Sequence, residues 1–233
     1  MEISWNLWHG CHKKSEGCKN CYVFRRDSSI GKDSNLIYKT KSFNLPISKN
    51  KRGEYKYPKG TEFMTCFSSD FFIEEADVWR EEALKIIKER NDCSFFLITK
   101  RPERIKEVMN PKEYPNLEIA CTVENNKRAI ERLPIYLNID MDYHGIMIEP
   151  MLEEIDLDQF DLSNVNQISV GGESGSKARI LDFNWVKKIH DLCKINKIPF
   201  YFHQTGANIV VDKKLYHIPR NKQHSQAYKA FKD

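Results

Sequence analysis

Six short apolar runs, each stopping at charged or hydrogen-bonding side chains, constrain the fold of this chain more than any other feature. Residues 63–67 lead into Ser68, Ser69 and Asp70, residues 94–98 into Thr99, Lys100 and Arg101, and residues 117–121 into Thr122 and Glu124. Further on, residues 144–148 lead into Glu149, residues 167–170 into Gly171, Gly172 and Glu173, and residues 198–202 into His203 and Gln204. Amphipathic segments lie between several of them. One spans 78–90 with Ala83, Leu84, Ile86 and Ile87 on a single face, a second holds Ala129, Ile130 and Leu133, and a third covers 184–196. Repeated alternation of strand and helix predicts a parallel sheet with helical crossovers, closed or nearly closed into a barrel.

In such barrels the carboxyl ends of the strands meet at one face, and that face carries the chemistry. Asp70, Lys100, Glu124, Glu149, Glu173 and Gln204 are therefore expected as a ring around one mouth. Helix capping by Ser69, Asp70 and Thr99 is the plainer explanation for part of the pattern. It leaves three glutamates and a lysine unexplained.

Ahead of the first of these runs lies Cys-x6-Cys-x2-Cys, formed by Cys11, Cys18 and Cys21. The spacing lets three sulfurs converge on one metal centre but leaves a fourth position open. A [4Fe-4S] cluster held this way keeps one iron free to bind the amino and carboxylate groups of S-adenosylmethionine. A zinc knuckle with His9 or His12 as fourth ligand, or ordinary buried thiols, are the alternatives. Cys66, Cys93, Cys121 and Cys193 sit singly in apolar segments, the total of seven is odd, and no secretory signal is evident. Reduced thiols and a cytoplasmic location are expected.

With 233 residues, 40% of them hydrophobic, the chain can bury one sizeable core, so a single domain over 1–233 is expected. It divides into a cysteine loop (5–24), a basic loop (32–59) and a C-terminal tail (207–233). The net charge of +4 comes largely from the basic loop, with Lys39, Lys41, Lys49, Lys51, Arg52, Lys56 and Lys59. That loop reads first as a solvated surface and second as a contact for phosphate or nucleic acid. No apolar run approaches the roughly 18 residues of a membrane span. Tyr228 and Phe231 suggest that the tail packs against the domain.

Several motifs together carry a resemblance. They are Trp5-Asn-Leu-Trp-His-Gly-Cys11, Gly17-Cys-Lys-Asn-Cys-Tyr22, Leu97-Ile-Thr-Lys-Arg-Pro-Glu-Arg104, Thr122-Val-Glu-Asn125, Ile148-Glu-Pro150, Val170-Gly-Gly-Glu-Ser-Gly175 and Pro199-Phe-Tyr-Phe-His-Gln204. In this order they resemble the phage Gp37/Gp68 family, whose three-cysteine signature is similar to that of radical S-adenosylmethionine enzymes, although Cys-x3-Cys-x2-Cys is the commoner spacing there. One class that the chain resembles is the clostridial-type queuine lyases, which release queuine from queuosine 5'-phosphate for salvage.

The resemblance implies an α/β fold, a single-domain partial or distorted TIM-like barrel with an N-terminal iron-sulfur loop. It implies a lyase holding a [4Fe-4S] cluster on Cys11, Cys18 and Cys21, with S-adenosylmethionine as cofactor and a flavodoxin or ferredoxin as electron donor. Strand order then gives Lys100 to the methionine carboxylate, with Ser68, Ser69, Asp70, Glu124 and Tyr22 completing the cofactor side. Glu149, Glu173 and Gln204 would read the base, with Glu173 foremost, and His203 would act as general acid. The 5'-phosphate would lie near Lys14, Arg101 or Arg179. A radical enzyme acting on nucleic acid, as in DNA repair or phage DNA modification, and a non-catalytic zinc module that binds nucleic acid are the alternative readings.

Overall fold

Alternating burial along each strand organises the structure, a computed structural model that describes residues 1–231. The chain runs β1 (Glu2–Trp5), β2 (Trp8–His9), α1 (Tyr22–Ser29), β3 (Tyr38–Lys39), β4 (Glu62–Thr65), α2 (Asp77–Glu89), β5 (Ser94–Thr99), α3 (Ile105–Val108), β6 (Leu117–Thr122), α4 (Asn126–Tyr136), β7 (His144–Ile148), β8 (Gln167–Gly171), β9 (Leu181–Asp182), α5 (Phe183–Asn196), β10 (Phe200–Gln204), β11 (Asn208–Val211), β12 (Lys214–His217) and α6 (Gln223–Ala230). Seven strands form one parallel sheet in the order β1-β4-β5-β6-β7-β8-β10, curled into a half-barrel.

All six expected strands are present and neighbour one another in chain order. The strand that sequence reasoning missed is β1, which pairs with β4 through Ile3↔Phe63 and Trp5↔Thr65. It places the cysteine loop directly after the first strand, at the carboxyl end of the sheet.

On the convex face Phe63, Phe95, Leu97, Ile119, Ile146, Ile168 and Val170 are almost wholly buried, as are Ala83, Leu84, Ile86 and Ile87 of α2. Each buried aliphatic or aromatic side chain contributes about 1.5–3 kcal/mol. The alternate residues Met64, Phe96, Ile98, Glu118, Met147 and Gln167 face the hollow and are only half-buried. Strand period two thus gives the sheet a packed outer face and an accessible inner one.

The basic loop is fastened as well as charged. Phe43 lies in the core, and Leu45, Ile47 and Tyr57 pack against it. The buried Arg90 guanidinium donates to the Pro46 and Tyr57 carbonyls and pairs with Asp92 at 2.8 Å. Lys39 pairs with Glu82 at 2.6 Å, whereas Lys41, Lys51, Arg52, Lys56 and Lys59 are exposed.

The tail packs against the flank of β10, the edge strand. Phe231 meets His190 at 4.4 Å, Phe200 at 5.2 Å and Phe183 at 5.5 Å between ring centroids. Helix α6 therefore covers a sheet edge that would otherwise present unpaired backbone groups. The end of the expected tail, Lys232 and Asp233, lies outside the described residues. No helix among them is long and apolar enough to cross a membrane.

Candidate functional site

The hollow of the half-barrel and the cysteine loop together enclose a cavity of about 570 Å³, lined by Cys11, Cys18 and Cys21. All three cysteines are half-buried free thiols. Among the described residues no group of three or more His, Cys, Asp or Glu stands in metal-holding geometry.

The shape of the loop follows from its glycines and from distant partners. Gly10 has φ +94°, and a Cβ there would fall 2.3 Å from the Leu36 carbonyl oxygen. Next to it, the Cys11 amide donates to the Ser34 carbonyl at 2.7 Å. A 3-10 turn over Glu16–Cys18 lets the Cys21 amide reach the Cys18 carbonyl at 3.3 Å, and α1 starts immediately afterwards.

Glu124 is fully buried and does not line the cavity. Its carboxylate accepts from the Ser15 hydroxyl, from the Gly17 amide at 3.2 Å and from Arg132 at 2.8 Å. It braces the cysteine loop, in place of the expected contact with a cofactor. Arg128 of α4 adds a second tie through Glu16 at 2.9 and 3.0 Å, and this pairing pulls the Glu16 carboxyl down to about 2.

Glu173 is similarly engaged. Asn20 donates to it at 2.8 Å, and Arg179 reaches it through its amide and Nε, both at 2.9 Å, and through Nη2 at 2.5 Å. The carboxylate is held low by these partners against the opposing effect of burial. It has no edge left for bidentate recognition of a base, which was its expected role.

Asp70 joins the ends of β4 and β5. It accepts from Thr99 Oγ1 at 2.8 Å, the amides of Phe72 and Lys100 at 3.0 Å, and Arg101 Nη1 at 2.9 Å. Ser68 donates to the Trp8 carbonyl at 3.0 Å, outside the cavity lining, and Ser69 to the Gly10 carbonyl. Tyr22 lines the cavity and donates to the Phe67 carbonyl at 2.5 Å. Arg101 also reaches the His12 carbonyl at 3.1 Å. Lys14 pairs with Glu103 at 2.7 Å at the surface, outside the cavity lining.

Lys100 does line the cavity, and among the described residues its ammonium has no carboxylate partner. Across the mouth, Glu149 accepts from His203 Nδ1 at 2.8 Å and from the Gln204 amide. These three also line the cavity. Gly171 makes the arrangement possible, because a Cβ there would lie 2.4 Å from Glu149 Oε2.

Burial, with the Asp70 carboxylate as the next contributor, pushes the Cys11 thiol up to about 12, while Arg101 acts in the opposite direction. Such a thiol ionises when a metal replaces its proton. Each histidine proposed as a fourth zinc ligand meets a carboxylate through Nε2, so a metal would have to take its Nδ1. His9 Nε2 lies 2.8 Å from Asp27, and His12 Nε2 is bonded to Glu75.

Sequence reasoning missed Ser15, Asn20 and Arg132. A signal existed for Arg132, since it shares the i, i+3, i+4 face of Ala129, Leu133 and Tyr136, so a charge there has to find a buried partner. Ser15 and Asn20 carry no comparable signal.

Residues 1–229 match a family model described as "Protein of unknown function (DUF5131)", and the chain belongs to that family. No curated protein and no solved structure matches it.

Proposed function

We propose that this DUF5131 member is a radical S-adenosylmethionine lyase that releases the base of a nucleotide, with queuosine 5'-phosphate as substrate. One observation carries the reading. Three thiols line one cavity at the carboxyl-end mouth of a parallel half-barrel. This donor set suits a metal centre with an open position better than a closed zinc site.

Cys11, Cys18 and Cys21 would hold the [4Fe-4S] cluster. Bound there with S-adenosylmethionine and a reductant such as flavodoxin or ferredoxin, it would supply a hydrogen-abstracting 5'-deoxyadenosyl radical. Lys100, a cation of the cavity lining with no carboxylate partner among the described residues, suits the methionine carboxylate. Asp70 positions it indirectly by holding the Lys100 amide and the Arg101 guanidinium. Glu124 fixes the cysteine loop from behind.

On the substrate side the base-reading role passes from Glu173 to Glu149. A carboxylate offers about four acceptor positions, and Gln204 and His203 use two. The remainder suit the paired donors of a deazaguanine edge. The departing base requires a proton, and His203, whose pKa is raised by its hydrogen bond to Glu149, is suited to supply it.

Anaerobic reconstitution with iron and sulfide, followed by electron paramagnetic resonance with and without S-adenosylmethionine, tests the class. A [4Fe-4S] signal that the cofactor perturbs, together with base release from queuosine 5'-phosphate, is expected. Stoichiometric zinc with no cluster signal would sink the proposal.

A further inference from the structure

The three cations expected to hold the substrate phosphate are all closed off by carboxylates. Lys14 is on Glu103 at 2.7 Å, Arg101 on Asp70 at 2.9 Å and Arg179 on Glu173 at 2.5 Å. Arg25 is different. It sits one turn beyond Cys21 on α1, its amide donating to the Cys21 carbonyl at 3.2 Å. No carboxylate among the described residues pairs with its guanidinium, Nη2 donates to Ser174 Oγ at 3.3 Å, and Nε is buried without an acceptor.

The turn after β8 is shaped around this side chain. Gly175 has φ +100°, and a Cβ there would fall 1.3 Å from Arg25 Nη1. Any other residue would displace the guanidinium. Ser174 lines the cavity, so an anion at this point is continuous with the hollow where the rest of a ligand would lie.

We infer that Arg25 and Ser174 form a subsite for a phosphate monoester. With no carboxylate partner among the described residues, the guanidinium charge is left for an anion beside Ser174 to neutralise. The planar fork of a guanidinium matches a phosphate in bidentate geometry, and the Ser174 hydroxyl adds a third donor. The assignment of this phosphate to a nucleotide substrate rests on the function proposed above. The anion site itself rests on the geometry.

The test uses the full chain and two variants, Arg25→Gln and Arg25→Lys, with circular dichroism to confirm folding. Phosphorus NMR line broadening of inorganic phosphate should show binding to wild type, on the order of 10- to 100-fold weaker binding to Arg25→Gln, and partial recovery in Arg25→Lys. No broadening by wild type, or equal broadening by folded Arg25→Gln, would overturn the subsite. Loss of S-adenosylmethionine affinity in Arg25→Gln with phosphate binding intact would give Arg25 to the methionine carboxylate and also overturn it. This readout needs no cluster, so a failed radical assay leaves it standing. Titration of wild type and Arg25→Gln with queuosine 5'-phosphate and with queuosine then shows whose phosphate it is, the variant losing the preference for the nucleotide.

Discussion

The Ser15 hydroxyl donates to the Glu124 carboxylate, joining residues 109 positions apart and fastening the cysteine loop to the end of β6. Because Glu124 also holds Arg132 in the interior, the two sides of this contact are not equally replaceable. Glu124→Ala would leave the Arg132 charge buried and unpaired, a loss of about 3–5 kcal/mol. Ser15→Ala would remove one hydrogen bond, about 1 kcal/mol, while leaving the ion pair intact. Urea unfolding should separate the two by this margin, and iron bound per chain after reconstitution should fall in both. Full iron loading in folded Ser15→Ala would show that the loop needs no brace.

Adjacent glycines at the end of β8 make a contrasting pair. A Cβ on Gly171 meets the tip of the Glu149 side chain, which can swing away, whereas a Cβ on Gly172 lies 2.4 Å from the Thr205 backbone oxygen, which cannot. Gly172→Ala is expected to lose about 1–3 kcal/mol of stability, in the range of overpacked sites. Gly171→Ala should melt close to wild type yet lose turnover, because Glu149 is displaced from His203 and Gln204. Equal melting of both variants would contradict this account.

Much of the fold was legible because its strands are bounded chemically. The runs before Asp70, Glu124 and Glu149 each combine an apolar stretch with an abrupt polar stop, and a parallel sheet turns such stops into one rim. β1 was missed because four residues with only Ile3 and Trp5 apolar make too short a pattern. The ring itself was less legible than the strands. Glu124, Glu173 and Asp70 do stand at strand ends, but what they face is set by Ser15, Asn20, Arg179 and Arg101. Spacing along a chain does not reveal contacts through space.

Two side chains of the cavity lining should separate cluster binding from cofactor binding. On the function proposed above, Cys18→Ala would remove one of the three sulfur donors and should abolish both iron-sulfur absorbance and base release. Lys100→Ala removes a cation with no carboxylate partner among the described residues. It should keep the cluster and weaken S-adenosylmethionine binding about 10-fold or more, as expected for a charge-assisted hydrogen bond. Cluster retention in Cys18→Ala, or unchanged cofactor affinity in Lys100→Ala, would reassign the residue concerned.

The pairing of His203 with Glu149 has a definite pH signature. The hydrogen bond to the carboxylate raises the imidazole pKa above 6.5, with the Glu2 charge adding to it, while burial opposes. Since the folded-state value exceeds the unfolded one, the pair's contribution to stability is fully present below pH 6.5 and is lost as pH rises through the raised value. Glu149→Gln should therefore cost the most stability in mildly acidic solution and progressively less above neutrality. NMR titration of the seven histidines, with the His203 signal assigned through His203→Gln, should show one imidazole moving to a lower pKa in Glu149→Gln. An unmoved His203 would mean that Glu149 does not hold its proton, and the general-acid role would then need another residue.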